Sequence, residues 1–287
     1  MKPVFSPRRL LATEVMRPEP ELNLARAALL IAQEEYPQLA VDLYLARLDQ
    51  MAEEVKDRLA AETAPLVVFQ ELCRTLFERR GFRGNRESYY DPRNSFLNDV
   101  LDRGLGIPLT LGVVLLETGW RLNLPLEGVN FPGHFLVRFS GSEIFLLVDP
   151  FEGGTTFFQD EAQELLDRVY GGTVRLQHHF LQAATKSDIL VRMLMNLKSI
   201  YVNVQDHPRA LAAVERILMI RPLARSELRV RGLLLVRLGR HAEAVEQLNA
   251  YLDLEPTAPD AETIRKLVSA LRSGETPDLD LGGLESS

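Results

Sequence analysis

The sequence predicts an α+β protein: helices at the N-terminus, a central domain that includes a β-hairpin, and an α-helical repeat region. Three observations carry this reading. Apolar residues recur at helical intervals over residues 22–80, two alternating runs flank a turn dipeptide at 141–142, and a 34-residue self-similarity occupies the chain beyond Lys186. The expected organisation is a first domain over residues 1–180, repeat helices over 186–272 and a disordered acidic tail over 273–287.

In order along the chain, Leu22, Leu29 and Leu30 precede Tyr36-Pro37, and Leu45, Leu48, Met51, Val55 and Leu59 mark the next helix. A third begins near Pro65 and is stopped by Gly81 and Gly84. The linker to Pro92 holds Tyr89, Tyr90 and Asp91. Ser95 is then placed to N-cap a short helix that carries Phe96, Leu97, Val100 and Leu101 and ends at Gly104. Pro108, suited to a first helical position, opens another helix, with Leu109, Val113, Leu116 and Trp120 spaced to pack inward.

The hairpin can be assigned a register. Gly141-Ser142 suits a two-residue loop with glycine at its first central position, which pairs Ser140 with Glu143 and, counting outward, His134 with Asp149. Residues opposite each other in an antiparallel pair point to one face, with Cβ atoms roughly 5 Å apart. An imidazole beside a carboxylate is the base-and-orienter half of a nucleophilic triad, because the carboxylate holds the tautomer and stabilises the imidazolium. Without a nucleophile the same pair is an ordinary polar contact in a sheet.

Beyond Lys186, Leu194, Leu197, Lys198, Tyr201, Ala210, Val214, Ile217 and Pro222 recur 34 positions later as Leu228, Arg231, Gly232, Leu235, Ala244, Leu248, Tyr251 and Pro256. The period and the small-residue positions match the tetratricopeptide repeat, a helix-turn-helix unit in which Ala210 and Ala244 let two helices approach closely. Each unit leaves an apolar face uncovered. Residues 261–271 can cap one end of the pair and the N-terminal domain the other.

Composition narrows the function classes. With 46% apolar and 25% charged residues the chain reads as an ordinary globular protein, and its net charge of −7 disfavours nonspecific attraction to nucleic acid or anionic membrane. No uninterrupted apolar run could span a bilayer and MKPVFSPRRLLATEV has no signal-peptide core, so a cytoplasmic location is expected. Cys73 is the single cysteine, which excludes an intramolecular disulfide or a cysteine-based metal site, and the five histidines form no ligand motif. Gly153-Gly154 lacks a phosphate-loop context and reads as a turn. No metal or cofactor is expected.

YYDPRNSFLNDVLDRGLGIPLTL, FPGHFLVRF and LVDPFEGG resemble the bacterial transglutaminase-like proteins of the SirB (invasion-regulator) family, which join such a domain to tetratricopeptide repeats; LLIAQEEYP and RGLLLVRLGR are similar to that family too. The resemblance implies a cysteine-protease-like fold, a nucleophilic Cys at the start of a helix with His and Asp on successive strands, and acyl transfer through a thioester. It assigns His134 to the His position and Asp149 to the Asp position. The helix that should open with Cys opens here with Pro108, Leu109 and Thr110, while Cys73 lies upstream among Phe69, Leu72, Leu76 and Phe77 at helical spacing.

The expected function is therefore that of a transglutaminase-like pseudoenzyme, a scaffold or regulatory module that binds a protein or peptide partner. Asn94 and Asn98, one helical turn apart, and Tyr90 are the candidate binding residues. The alternative is a hydrolase or acyl transferase in which Thr110 or a water is the nucleophile, His134 the base and Asp149 its orienter.

Overall fold

The structure is a computed structural model that describes residues 6–59, 62–141 and 145–274, so the expected tail lies outside the described residues from position 275 onward. The chain divides between Met193 and Leu194 into two compact units. The α+β class and the succession of a mixed domain and a helical repeat region are as read from the sequence.

The first unit begins with α1 (Pro7–Val15), α2 (Leu24–Gln33), α3 (Val41–Leu59) and α4 (Pro65–Cys73), the last continuing as a π-helical segment, Arg74–Arg79. Short polar side chains set the first two starts: Ser6 accepts from Arg9 N–H and Asn23 from Arg26 N–H. Two-residue strands β1 (Arg83–Gly84) and β2 (Leu105–Gly106) pair in parallel around α5 (Leu97–Arg103), which Gly104 closes at φ +67°. Helix α5 is capped at Phe96, without a side-chain bond, rather than at Ser95. The Ser95 hydroxyl is buried and has no partner among the described residues.

Helix α6 (Pro108–Arg121) is the centre of this unit, with every residue from Pro108 to Gly119 buried. A helix that is apolar on all sides must be covered on all sides. Helices α2, α3, α4 and α5 supply part of that cover, and strands β3 (Leu126–Val129) and β4 (Leu136–Ser140) supply the rest. Its one buried charge, Glu117, accepts from Ala25 N–H at 2.8 Å, in the first turn of α2, and pairs with Arg121 at 2.5 Å. Glycines set how close the helix comes to the sheet. A Cβ at Gly112 would lie 2.5 Å from the Phe135 ring, and one at Gly119 would lie 2.2 Å from Leu126 Cδ1.

With β5 (Phe145–Asp149), β6 (Thr155–Phe157) and β7 (Ala183–Ala184), the sheet runs β6-β5-β4-β3-β7, antiparallel throughout. Helix α7 (Ala162–Tyr170) packs Leu165 and Leu166 against Val129, Phe131, Leu136 and Leu147. The hairpin register differs from expectation. Ser140 pairs with Phe145 rather than with the expected Glu143, which lies outside the described residues, and the ladder running on to Val137 with Val148 brings Leu136, not His134, into line with Asp149. Side chains alternate with period two, so a slip of two residues keeps each on the same face. That is why His134 and Asp149 still face one another although they are not ladder partners.

In the second unit the end of α8 (Lys186–Asn203) is followed by α9 (His207–Ile220), α10 (Arg225–Arg237), α11 (His241–Leu254) and α12 (Ala261–Ser273). Helices α9 and α11 start 34 residues apart, at His207 and His241, and end 34 residues apart as well. Ala210 and Ala244 are fully buried, and a Cβ at Gly232 would lie 2.5 Å from Leu248 Cδ2. These small residues give α10 and its neighbours their close approach.

A buried polar contact crosses this apolar interior: Lys198 donates to Glu227 at 2.6 Å, with both side chains almost wholly buried. Lys198→Met is expected to cost about 3–5 kcal/mol, because it strands a buried carboxylate. Lys198→Met/Glu227→Met should recover most of that loss. Urea unfolding of both variants checks this. A double variant no more stable than the single one would show that the carboxylate is not what makes the single change costly.

Candidate functional site

The β3–β4 connection, residues 130–135, is anchored by two fully buried rings, Phe131 and Phe135. His134 N–H donates to the Phe131 carbonyl at 3.0 Å, which closes a turn through Gly133 at φ +64°. A side chain at Gly133 would be strained, and its Cβ would meet Val169 Cγ1 at 2.7 Å. The loop is thereby held with its histidine turned toward the end of β5.

There the Nε2 atom of His134 lies 2.8 Å from Oδ1 of Asp149. The same oxygen accepts from the backbone N–H of Phe151 at 2.9 Å and of Glu152 at 3.2 Å. The carboxylate is thus aimed by the turn that follows β5, and it is 2% exposed. Hydrogen bonding through Nε2 leaves Nδ1 as the ring nitrogen able to act on another group, and Nδ1 has no partner among the described residues.

An aromatic wall adjoins the pair. Phe151 stands edge-on to His134, with centroids 6.2 Å apart, and edge-on to Tyr89 at 5.9 Å; Tyr89 in turn meets Tyr90 at 5.3 Å. The Phe151 ring lies on Gly84, where a Cβ would approach to 2.5 Å. The Arg86 guanidinium covers the ring 5.2 Å from its centroid and pairs with Glu152. Tyr90 is 75% exposed, whereas burial raises the Tyr89 phenol above its ordinary value.

The other residues singled out in the sequence sit elsewhere. Asn94 is fully buried: its Nδ2 donates to the carbonyls of Ser88 at 2.7 Å and Tyr89 at 3.1 Å, and its Oδ1 accepts from Asn85 at 3.0 Å. It holds the linker that carries Tyr89 and Tyr90 and presents no free polar atom. Thr110, also fully buried, donates to the Asn94 carbonyl at 2.6 Å and accepts from Ile107 N–H at 3.2 Å. No hydrogen bond joins this interior pair to His134. Asn98 is buried with its Oδ1 unpartnered. Cys73 is half-buried at the end of α4, where burial, reinforced by Glu78, pushes its thiol up to about 12.

Two residues that the sequence reading missed belong to this region. Phe151 gives no signal by period, since it lies in a turn after the strand. Arg192, on α8, donates from Nη1 to Asn130 Oδ1 at 3.2 Å and to the Phe131 carbonyl at 3.3 Å, on the loop that carries His134. Its distance in sequence hides that. Among the described residues no group of three His, Cys, Asp or Glu side chains is placed to hold a metal ion.

The domain fold and the His–Asp geometry define a class of protein, and comparison with known sequences gives the same class. Residues 42–195 match the transglutaminase-like superfamily and residues 197–269 the tetratricopeptide repeat, so the chain belongs to the transglutaminase-like superfamily with repeats appended. Within that class it is a member of the UPF0162 family. It is 38% identical over 247 residues to the UPF0162 protein of Xylella fastidiosa strain 9a5c, covering 85% of this chain and 88% of the relative. The UPF0162 protein of Vibrio cholerae is 30% identical over 251 residues, 87% of this chain and 93% of that protein. Protein SirB1 of Salmonella typhimurium is 26% identical over 238 residues, 83% and 87% of the two chains. No solved structure matches.

Two measurements test this description. Asn94→Ala removes two donors from buried carbonyls and should cost about 2–4 kcal/mol in urea unfolding, with faster amide exchange over residues 85–89. Intact exchange protection there would mean that Asn94 does not hold the linker. For Cys73, a thiol near 12 carries on the order of a thousand-fold less thiolate at pH 8 than an unfolded cysteine. Alkylation of the folded chain should therefore keep accelerating above pH 10, where the unfolded chain has levelled off. A native plateau below pH 10 would contradict the burial.

Proposed function

We propose that this chain is a transglutaminase-like module that binds a protein or peptide at the His134 surface and forms no thioester, with the tetratricopeptide repeats adding a second interaction surface. One observation carries the reading: the hydroxyl at the start of α6 already donates its proton to the Asn94 carbonyl. A nucleophile must give its proton to the base, and Thr110 gives it to the backbone. The only thiol, Cys73, belongs to another helix, and its raised pKa opposes thiolate formation. Tetratricopeptide repeats generally mediate protein–protein contact, which supports an interaction role, and no helix among the described residues is long and apolar enough to cross a membrane.

A second reading draws on the intact histidine–aspartate pair. With Nε2 held by Asp149 and Nδ1 unpartnered, His134 is arranged as a general base for a water, which would make the module a hydrolase.

The test is turnover by the full chain. Incubated with a glutamine-containing peptide and a primary amine, and separately with activated esters, the protein is expected to give no acyl transfer or hydrolysis above the rate of His134→Ala. Turnover that falls about 100-fold or more in both His134→Ala and Asp149→Asn would replace the binding reading with the hydrolytic one.

A further inference from the structure

Arg192 is a half-buried cation without a carboxylate. Its two hydrogen bonds go to neutral acceptors, Asn130 Oδ1 and the Phe131 carbonyl, and its remaining guanidinium nitrogens have no partner among the described residues. Burial lowers its pKa from the ordinary value, and the groups that act against this are the phenols of Tyr89 and Tyr170, not an acid. A guanidinium taken partly out of water with its fork incompletely used is matched by a carboxylate, which accepts two parallel N–H bonds.

Its surroundings place this cation on the same surface as the His134 pair. The Phe131 carbonyl that accepts from Arg192 also accepts from His134 N–H, so one oxygen anchors both groups. Tyr89, whose phenol acts on the Arg192 charge, continues into the wall made by Phe151 and Tyr90. Tyr170 also acts on that charge, and its hydroxyl lies 3.2 Å from the position of a Cβ on Gly133, in the loop that carries His134. The cation is thus held on the loop that carries the imidazole, within the electrostatic reach of two exposed tyrosines.

We propose that Arg192 receives a carboxylate of a bound peptide, while the neighbouring peptide residue rests on the Tyr89, Tyr90 and Phe151 rings beside His134. This rests on the peptide-binding reading and gives that ligand its chemistry. A peptide C-terminus and an acidic side chain offer the same group.

The experiment uses the full chain, immobilised, and a random hexapeptide pool in three forms: free, C-terminally amidated, and fully methyl-esterified. The peptides retained are quantified by mass spectrometry. The esterified pool should be retained about ten-fold less than the free pool, the effect of losing a charge-assisted hydrogen-bonded pair. Amidated peptides behaving like the esters would identify the C-terminus as the source; behaviour like the free pool would identify acidic side chains. Arg192→Met should abolish the preference and Arg192→Lys keep part of it, in variants whose circular dichroism matches the wild type. The wild-type comparison stands by itself if Arg192→Met does not fold. Equal retention of free and esterified pools, reduced alike by Tyr90→Ala, would overturn the carboxylate site and leave peptide binding standing. A folded Arg192→Met that still prefers the free pool would overturn it as well. No retention of any pool would overturn both.

Discussion

The constraint on which the rest of the first unit depends is the complete burial of α6. Twelve successive residues of this helix, Pro108 to Gly119, are covered, and Gly112 and Gly119 bring it against the sheet at distances that admit no side chain. Close packing makes such a contact stiff, since neither surface can yield without losing dispersion contacts or straining rotamers. The height of β3 and β4 above the helix is set by Phe135 and Leu126 meeting those glycines. The loop that joins these two strands carries His134.

The same helix reaches the aromatic wall by a second route, through polar groups. Thr110 donates to the Asn94 carbonyl, the Asn94 amide donates to the Tyr89 carbonyl, and Tyr89 touches Phe151, which touches His134. Each link is buried or half-buried, so an unmade bond would leave a desolvated polar group. Thr110 and Asn94 therefore serve the site by positioning its residues. At the start of this helix stands Thr110, whose hydroxyl completes the helix cap and the linker.

The imidazole of His134 and the carboxylate of Asp149 are held as a pair. Asp149 uses one oxygen for three donors, two of them from the turn that follows it, which keeps the carboxylate pointed at the imidazole whatever stands on the other side. Such a pair can bind and polarise a ligand as readily as it can activate water. On the proposed reading, the residues beside it, aromatic rings and a cation without a carboxylate, hold a peptide.

Much of this was legible in the sequence because it is periodic or punctuated. The repeat period appears unchanged in the limits of α9 and α11, and Pro108 and Gly104 begin and end helices where their backbone preferences say they should. The face shared by His134 and Asp149 followed from alternation, which tolerates a slip of two residues; the register did not, because a two-residue turn was assumed whereas Ser140 pairs with Phe145. Strands β6 and β7 are too short to show a period, β3 contains a glycine required by packing, and Ser95 looked like a cap although Phe96 occupies that position. The sequence by itself determined the fold class, the repeat and the face shared by His134 and Asp149, since these rest on local period. Only the tertiary structure decided that Asn94 and Thr110 are interior struts and that Phe151 and Arg192 belong beside His134, because those contacts join segments distant in the chain and depend on how closely α6 lies against the sheet.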